Sequence, residues 1–390
     1  MTLHAAVGQA QALDGREAGL QATHNALNQI GNNIPSLAIV IASQHYDAAQ
    51  VIGGVSSLLG DTSVIGFSST TSVTNKGHHE NSVVVALLSS NEIDVESHWL
   101  PGYAQSGRET ASRLLEIASA KPADNQTILF FGDGFNGDAE QMCLAMTGNE
   151  ITIAGGLASG DIQNGTSFQL AENQTGSGSL TAALLSGNIR VGIGSDHGWR
   201  PIGSQFRITR SRGFWLRTLD GRPTSEAYSQ LFGYPAREWA FPPLNHLVRL
   251  YPLGIDRGDD LLIRSPLRVE ADGSFRMNAP VQDGLDAYLL VGSSATCHEA
   301  AQRAAQKAML ALGNTKPVFA LVLIDTAWQM LLKAQPGTEI GPIREILGED
   351  VPIAGGYTLG QIVPGKNGSP PQFLNQHIMV IAFGEAEKKK

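Results

Sequence analysis

The chain has 390 residues, 42% of them hydrophobic and 16% charged, with a formal net charge of −9. That length suits about two domains, and the acidic balance argues against nucleic acid or an anionic membrane surface as the main partner, because both reward clustered Lys and Arg. No apolar run approaches the ~18 residues of a membrane helix, no basic-then-apolar leader opens the chain, and two cysteines make no disulfide framework.

The expectation is therefore a cytoplasmic protein with reduced thiols. Its only basic run, Lys388–Lys390, reads as a solvated tail. Leu3–Ala10 predicts a short strand. Asp14–Ile30 predicts an amphipathic helix with Leu20, Ala26, Leu27 and Ile30 on its packed side and Gly31 as its stop. A pattern then begins that recurs three times. An apolar run (Leu37–Ile41, Ile128–Phe131, Phe319–Ile324) leads through a loop and a helix to a glycine-bearing run, and a third apolar run follows (Ser82–Leu88, Leu180–Leu185, His377–Phe383).

The glycine-bearing stretches read DTSVIGFSSTTS (Asp61–Ser72), EITIAGGLASGD (Glu150–Asp161) and VPIAGGYTLGQ (Val351–Gln361). Short β-branched runs suit central strands. Gly66, Gly155–Gly156 and Gly355–Gly356 are expected at or just beyond the strand ends, where glycine allows positive φ or close approach of a backbone or ligand. Tight turns without a ligand fit the same residues. The first and third units are expected to superpose.

The segment GRETASRLLEIASA predicts a helix leading into the second unit, where GDGFNGDAE (Gly132–Glu140) joins strand to helix. Asp133 and Asp138 lack the spacing of an EF-hand, and Asp138 as a helix N-cap explains the same residues. The alternation over Ile189–Leu219 predicts antiparallel hairpins. Asp220-Gly221 marks a turn, Pro223 opens a helix, and the proline-rich stretch Tyr234–Pro243 marks the expected boundary between lobes. A small β region (Leu247–Tyr288) and a helix (Ala295–Leu312) lead into the third unit. The predicted architecture is α/β and two-lobed, with mixed β-sheets flanked by helices and repeated strand-helix-strand units that end in glycine-rich turns.

No catalytic constellation emerges. The chain lacks GxSxG, HExxH and paired CxxC, a phosphate loop, and GxGxxG between a strand and a helix. Cys297-His298 is the one adjacent pair that invites a test, and Cys143 reads as a core residue. A binding protein, not an enzyme, is the expectation. Among ten histidines, His377 stands out: matching Asn81 to Asn375 sets it opposite Val83, on a face shared with Met379, Ile381 and Phe383. Imidazole among apolar neighbours suits a haem iron, and a satisfied core histidine fits the same pattern. His246, in LNHLVRLYPLG, is the second choice.

Taken together, VIGFSSTTS, ILFFGDGFNGDAE, IAGGLASGD, HGWRPIG, LDGRPTSEAY, RLYPLGI, VPIAGGYTLGQI and the terminal strand from Asn375 resemble the FIST family of sensory proteins, from Ser36 to Phe383. The resemblance implies a FIST N-type lobe over residues 1–233 and a FIST C-type lobe over residues 234–390. It implies an intracellular sensor of small molecules such as amino acids, signalling to a separate protein. Proteins of this size also resemble a subgroup of nitric-oxide-sensing haemoproteins that regulate histidine kinases. That gives haem as the expected cofactor, a gas or small molecule as ligand and a histidine kinase as partner, with a homo-oligomer compatible. A haem-free sensor of an amino-acid-like metabolite is the alternative.

Two departures bear on the ligand. Gly360-Gln361 stands where the family commonly has Gly-Glu, which removes a carboxylate partner for an amino group. Asp325-Thr326-Ala327-Trp328 replaces a frequent Cys and Gly-Arg pair. Ser68, Ser69, Tyr357, Thr358 and Gln361 after the strand tips, with Trp199 and Arg200 as a ledge, are expected to line one ligand-binding concavity.

Overall fold

The computed structural model describes residues 3–123, 125–148, 151–258, 260–365 and 368–386; Glu150 and Lys388–Lys390, named above, lie outside the described residues. The threefold recurrence extends further than the sequence runs suggest, because each unit also owns the strand and helix ahead of its first run. The first unit has strands His4–Ala10, Leu37–Ser43, Ser63–Ser69 and Val83–Ser89; the second has Ile93–Leu100, Thr127–Asp133, Thr152–Ala158 and Leu180–Gly187. The third has Ile189–Asp196, Pro317–Asp325, Ile353–Val363 and Ile378–Glu385. In every unit the second and third strands run parallel, and the fourth lies antiparallel between the first and second. All three units, not only the first and last, share this order.

The glycines do not sit at strand ends. Gly66, Gly155 and Gly355 lie inside their strands, opposite Val40, Phe130 and Val322 in the parallel register. None has positive φ. A Cβ at these positions would stand 2.3, 2.1 and 2.1 Å from the carbonyl oxygen of that partner residue. Close backbone approach, not a turn, is what excludes a side chain here. Beyond the glycines each strand leads into an arm that crosses to another unit. Val73 of the first arm pairs with Gly355, Leu170 of the second with Gly66, and Ile362 of the third with Gly155. The first unit thus holds the third, the third holds the second, and the second holds the first. The three units close into a ring.

Packing follows from this closure. Inward-facing residues of all three units, among them Ile39, Ile65, Leu129, Ala154, Leu321 and Ala354, form one central apolar cluster, with the Phe67 and Phe131 ring centroids 4.3 Å apart. Each unit's helices cover its outer face with a separate cluster. Burying each large apolar side chain contributes roughly 2 kcal/mol. The helix Gly15–Ile30 starts at an Asp14 cap and ends at Gly31, but its buried stripe is Ala18, Ala22, Ala26 and Ile30, and Leu20 is exposed. The reason is again proximity: a Cβ at Gly8 would lie 2.0 Å from the Ala22 carbonyl oxygen, so only alanine fits between helix and strand.

Ile189–Asp196 does not form a hairpin with the strand that follows; it pairs with Ile378–Glu385 at the edge of the third unit. A smaller sheet occupies residues 200–291, inserted into the third unit. In it Arg200–Arg212 pairs with both Trp215–Leu219 and Asp286–Val291. Sheet pairing therefore runs across the expected division at 233–234, and the chain groups as a three-unit body plus this insert, which has its own core around Tyr228, Trp239 and Phe275. The proline-rich stretch belongs to the insert, where Ala236–Ala240 and Leu244–Leu247 form short helical turns.

Candidate functional site

The hydroxyl-bearing tips after the glycine strands meet where the arms cross. Ser69 Oγ accepts from Tyr357 N (2.8 Å) and donates to Thr71 O (2.5 Å). Ser159 Oγ donates to Tyr357 O (2.6 Å) and accepts from Thr70 N (3.0 Å). Ser68 Oγ donates to Ser159 O (2.7 Å), Thr358 Oγ1 to Ile324 O (3.3 Å), and Gln361 Nε2 to Thr358 Oγ1 (2.8 Å). All of these side chains are buried. The structure brings Ser68, Ser69, Thr358 and Gln361 together at a joint: the Ser68, Ser69 and Ser159 hydroxyls hold one unit's backbone to another's, while Thr358 and Gln361 bond within the third unit and Gln361 Oε1 is left without a partner. Tyr357 turns elsewhere, giving its hydroxyl to the buried Glu339 Oε1 at 2.5 Å. Burial pushes both the Glu339 carboxyl and the Tyr357 phenol up.

Trp199 and Arg200 stand apart from that joint. Trp199 is buried, its ring centroid 6.0 Å from that of Trp328 and its Nε1 donating to Leu250 O (3.4 Å). Arg200 is exposed and pairs with Glu299 at 3.2 Å. Cys297 is fully buried, and burial pushes its thiol up; His298 Nε2 lies 2.8 Å from Thr338 Oγ1. Burial likewise pushes the Cys143 thiol up to about 12.

Two open clefts flank the body, and each of the two histidines singled out from the sequence lines one. His377 borders a cleft of about 720 Å³ that it shares with His197, Lys307 and an apolar wall including Val191, Ile193 and Leu262. His377 is 8% exposed, and its Nδ1 lies 2.6 Å from Asn375 O. A carbonyl only accepts, so the neutral ring carries its proton on Nδ1 and leaves the Nε2 lone pair free. The His197 ring stands edge-on with centroids 4.9 Å apart. Burial first, then the His197 charge, depresses the His377 pKa to about 3; burial also lowers His197. Beside them burial opposes the charge of Asp196, yet Arg303 (3.0 and 2.9 Å) and Lys307 (2.6 Å) outweigh it and hold its carboxyl at about 2.

The counterpart of His377 is not Val83. Asp325 N donates to His377 O as Ser43 N donates to Ser82 O, both at 2.9 Å, and Gln376 (φ 63) matches Asn81 (φ 46). Ser82 is therefore the equivalent residue. The register slips by one from the Asn81–Asn375 match, and one residue exchanges the two faces of a strand.

His246 lines the second cleft, about 600 Å³, between the insert and the loops of the second unit. Here sequence reasoning missed Arg249, Arg268 and Arg276, which share its wall. Arg268 and Arg276 are cross-strand partners in a short hairpin, and Arg249 comes from a separate helical turn whose approach no local spacing announces. Among the described residues no cluster of His, Cys, Asp and Glu is suited to a metal ion, and no helix is long and apolar enough to cross a membrane.

Family models match this arrangement in chain order: a FIST N domain over residues 36–222 and a FIST C domain over residues 225–364. The chain belongs to the FIST family. FIST domains are sensory, ligand-binding signalling domains. The FIST chain is 22% identical over 381 residues to uncharacterised proteins of Mycobacterium bovis and Mycobacterium tuberculosis, covering 93% of this chain and 95% of each relative. It is also 22% identical over 196 residues to an uncharacterised protein of Methanocaldococcus jannaschii, a match to 49% of this chain that spans only 36% of the archaeal protein. Among solved structures, a chorismatase aligns over 98% of both chains at 8% identity and a TM-score of 0.33. A cyanuric acid hydrolase from A. caulinodans aligns over 47% of this chain and 71% of its own, at 11% identity and a TM-score of 0.27. At such scores neither carries an argument about this FIST chain.

Proposed function

We propose that this FIST protein is a haem-based sensor of nitric oxide that acts by binding rather than turnover and regulates a separate histidine kinase. The observation that supports it is His377: a neutral imidazole pinned through Nδ1 by Asn375 O, its other nitrogen free, at the wall of a cleft of about 720 Å³. An axial histidine needs a neutral ring, a second nitrogen held by an acceptor and apolar surroundings. The residues present fit that requirement. The cleft also lies within the ~300–1,000 Å³ of ordinary small-molecule sites.

In this reading His377 would be the residue that holds the haem iron. Asn375 O keeps the ring in one tautomer and orientation, and Val191, Ile193 and Leu262 keep water from the porphyrin face. Lys307 supplies a positive charge at the rim. When bound, haem supplies an iron centre for the diatomic gas. His246 lies on the other cleft among guanidiniums, so it is the weaker candidate.

The absorption spectrum of protein expressed with ample haem tests this. The expected result is a Soret band that shifts with nitric oxide and is lost in His377→Ala, while far-UV circular dichroism is unchanged. A protein purified without a Soret band, or a variant that keeps the wild-type band, overturns the assignment and leaves the cleft to a haem-free metabolite.

A further inference from the structure

The cleft lined by arginines is separate from the one that His377 borders. Its lining includes Arg249, Arg268 and Arg276 and no carboxylate, in a chain with 36 acidic and 27 basic side chains. Arg249 is only 3% exposed. Among the described residues its guanidinium donates only to Thr326 Oγ1, although a guanidinium carries five donors. Arg276 lies with its guanidinium carbon 4.5 Å from the Phe214 ring centroid and 4.4 Å from that of Trp215, held flat between insert residues. Its guanidinium makes no ion pair or hydrogen bond among the described residues. The Asn245 side-chain carbonyl on the same wall is buried without a partner, an acceptor for a ligand hydroxyl rather than for its carboxylate.

A buried guanidinium with unused donors costs free energy unless an anion satisfies it. Desolvation lowers the Arg249 pKa against the opposing charge of the buried Asp325, and desolvation followed by the neighbouring Arg268 charge lowers that of Arg276 against the opposing charge of Glu270. An anion between them relieves both. Planar forks on stiff supports match the two oxygens of a carboxylate, and no lysine joins them as a point charge. Facing them, Phe135, Leu267 and Leu359 offer apolar surface that suits a carbon skeleton.

We infer that the cleft between the insert and the second unit binds a small organic carboxylate, with Arg249 and Arg276 as its anchoring cations, and that it excludes free amino acids. The exclusion follows from the charges: an α-ammonium group would face three guanidiniums, and the carboxylate beside them, Glu270, is already paired with Arg268 at 3.0 Å. This inference does not rest on the haem reading, since the two clefts share no lining residue.

Isothermal titration of the full chain with benzoate, succinate, alanine and inorganic phosphate tests it, with Trp215 fluorescence as a second readout. Benzoate or succinate is expected to bind, with alanine binding at least tenfold more weakly. Arg249→Gln risks misfolding because the buried Asp325 lies near, so Arg276→Gln on the partly open wall is the working variant. It is expected to weaken the carboxylate about tenfold or more, the loss of one charged hydrogen bond, with an unchanged melting temperature. Alanine binding as well as succinate, phosphate binding as well as benzoate, no binding by either carboxylate, or full affinity in Arg276→Gln each overturns the assignment.

Discussion

At the centre of the ring Ser69, Ser159 and Thr358 commit their hydroxyls to protein carbonyls and amides, whereas at the edge His377 Nε2 and the Arg249 guanidinium keep donors or lone pairs unused. Both regions are polar patches in an apolar body. The difference lies in what remains unpartnered after folding. Hydroxyls next to a glycine strand are short and reach only neighbouring backbone, so they join units. The longer imidazole and guanidinium, just ahead of the strand Ile378–Glu385 and in the helical turn Val248–Leu250, present a free end to a cleft.

The ring side of that comparison breaks most sharply at a glycine. Gly355→Ala places a Cβ 2.1 Å from Val322 O and 2.8 Å from Val73 Cγ2, which forces strand and arm apart. The expected loss is about 4 kcal/mol, read from the denaturant midpoint. Gly53→Ala, inside the helix Ala48–Leu59 where a Cβ meets only Arg16 Nη1 at 3.7 Å, is expected to stabilise by roughly 0.5–1 kcal/mol. Equal midpoints for the two variants would remove close approach as the reason for the glycine strands.

Ser159→Ala separates joint from site. It strips the partner from Thr70 N and one donor from Tyr357 O, and two poorly satisfied buried groups cost about 3 kcal/mol. Ligand or haem binding at either cleft is expected to be unchanged once the protein is folded. A variant that melts normally but loses binding would instead make the junction part of a site.

Legibility in the sequence follows the same division. The glycine strands were readable because Val-Ile-Gly-Phe and Ala-Gly-Gly recur with β-branched neighbours, and the sensory family follows from their order. Ring closure was not readable: Gly66 pairs with Leu170 and Gly355 with Val73, contacts so distant in sequence that no periodicity records them. The chemistry of Ser68 and Tyr357 was equally hidden, since a hydroxyl joining units and one facing a ligand look alike in sequence. His377 was found by its apolar surroundings, although the match that singled it out was one residue off. The left-handed backbone at Asn81 and Gln376 sets the register, and an Asn-to-Asn match does not see it.

The cleft side predicts a pH dependence. A histidine whose folded pKa is depressed from 6.5 to about 3 binds its proton only in the unfolded chain across that window. Its contribution is therefore complete above about pH 6.5 and is lost as pH falls toward 3. Between about pH 8 and about pH 5 the apo protein should lose about 2 kcal/mol from His377, with His197 adding in the same direction. In His377→Gln that slope should flatten in urea melts at the two pH values, and an unchanged slope would show that the imidazole is not held neutral. Asp196, held at about 2, acts lower, between its ordinary carboxylate range and about pH 2.

The smallest effect is expected at Arg200, next in sequence to a residue where a large one is expected. Both were candidates for one ledge, yet Trp199, just ahead of the strand Arg200–Arg212, is buried while Arg200 opens the strand in water. Its pair with Glu299 at 3.2 Å joins two exposed side chains, a geometry worth ~0–1 kcal/mol because water screens the charges and ordering both chains costs entropy. Arg303 also lies 3.8 Å from Glu299, so Arg200→Ala does not strand the carboxylate. We expect about 0.5 kcal/mol or less, vanishing at roughly 1 M salt where the Debye length is ~3 Å, with binding at both clefts unchanged. Trp199→Ala, which opens a hole against Trp328, should cost about 3–5 kcal/mol. An Arg200→Ala variant that loses ligand binding at low salt would put that side chain back among the groups facing a site, and the distinction between partnered and unpartnered ends would fail at its simplest test.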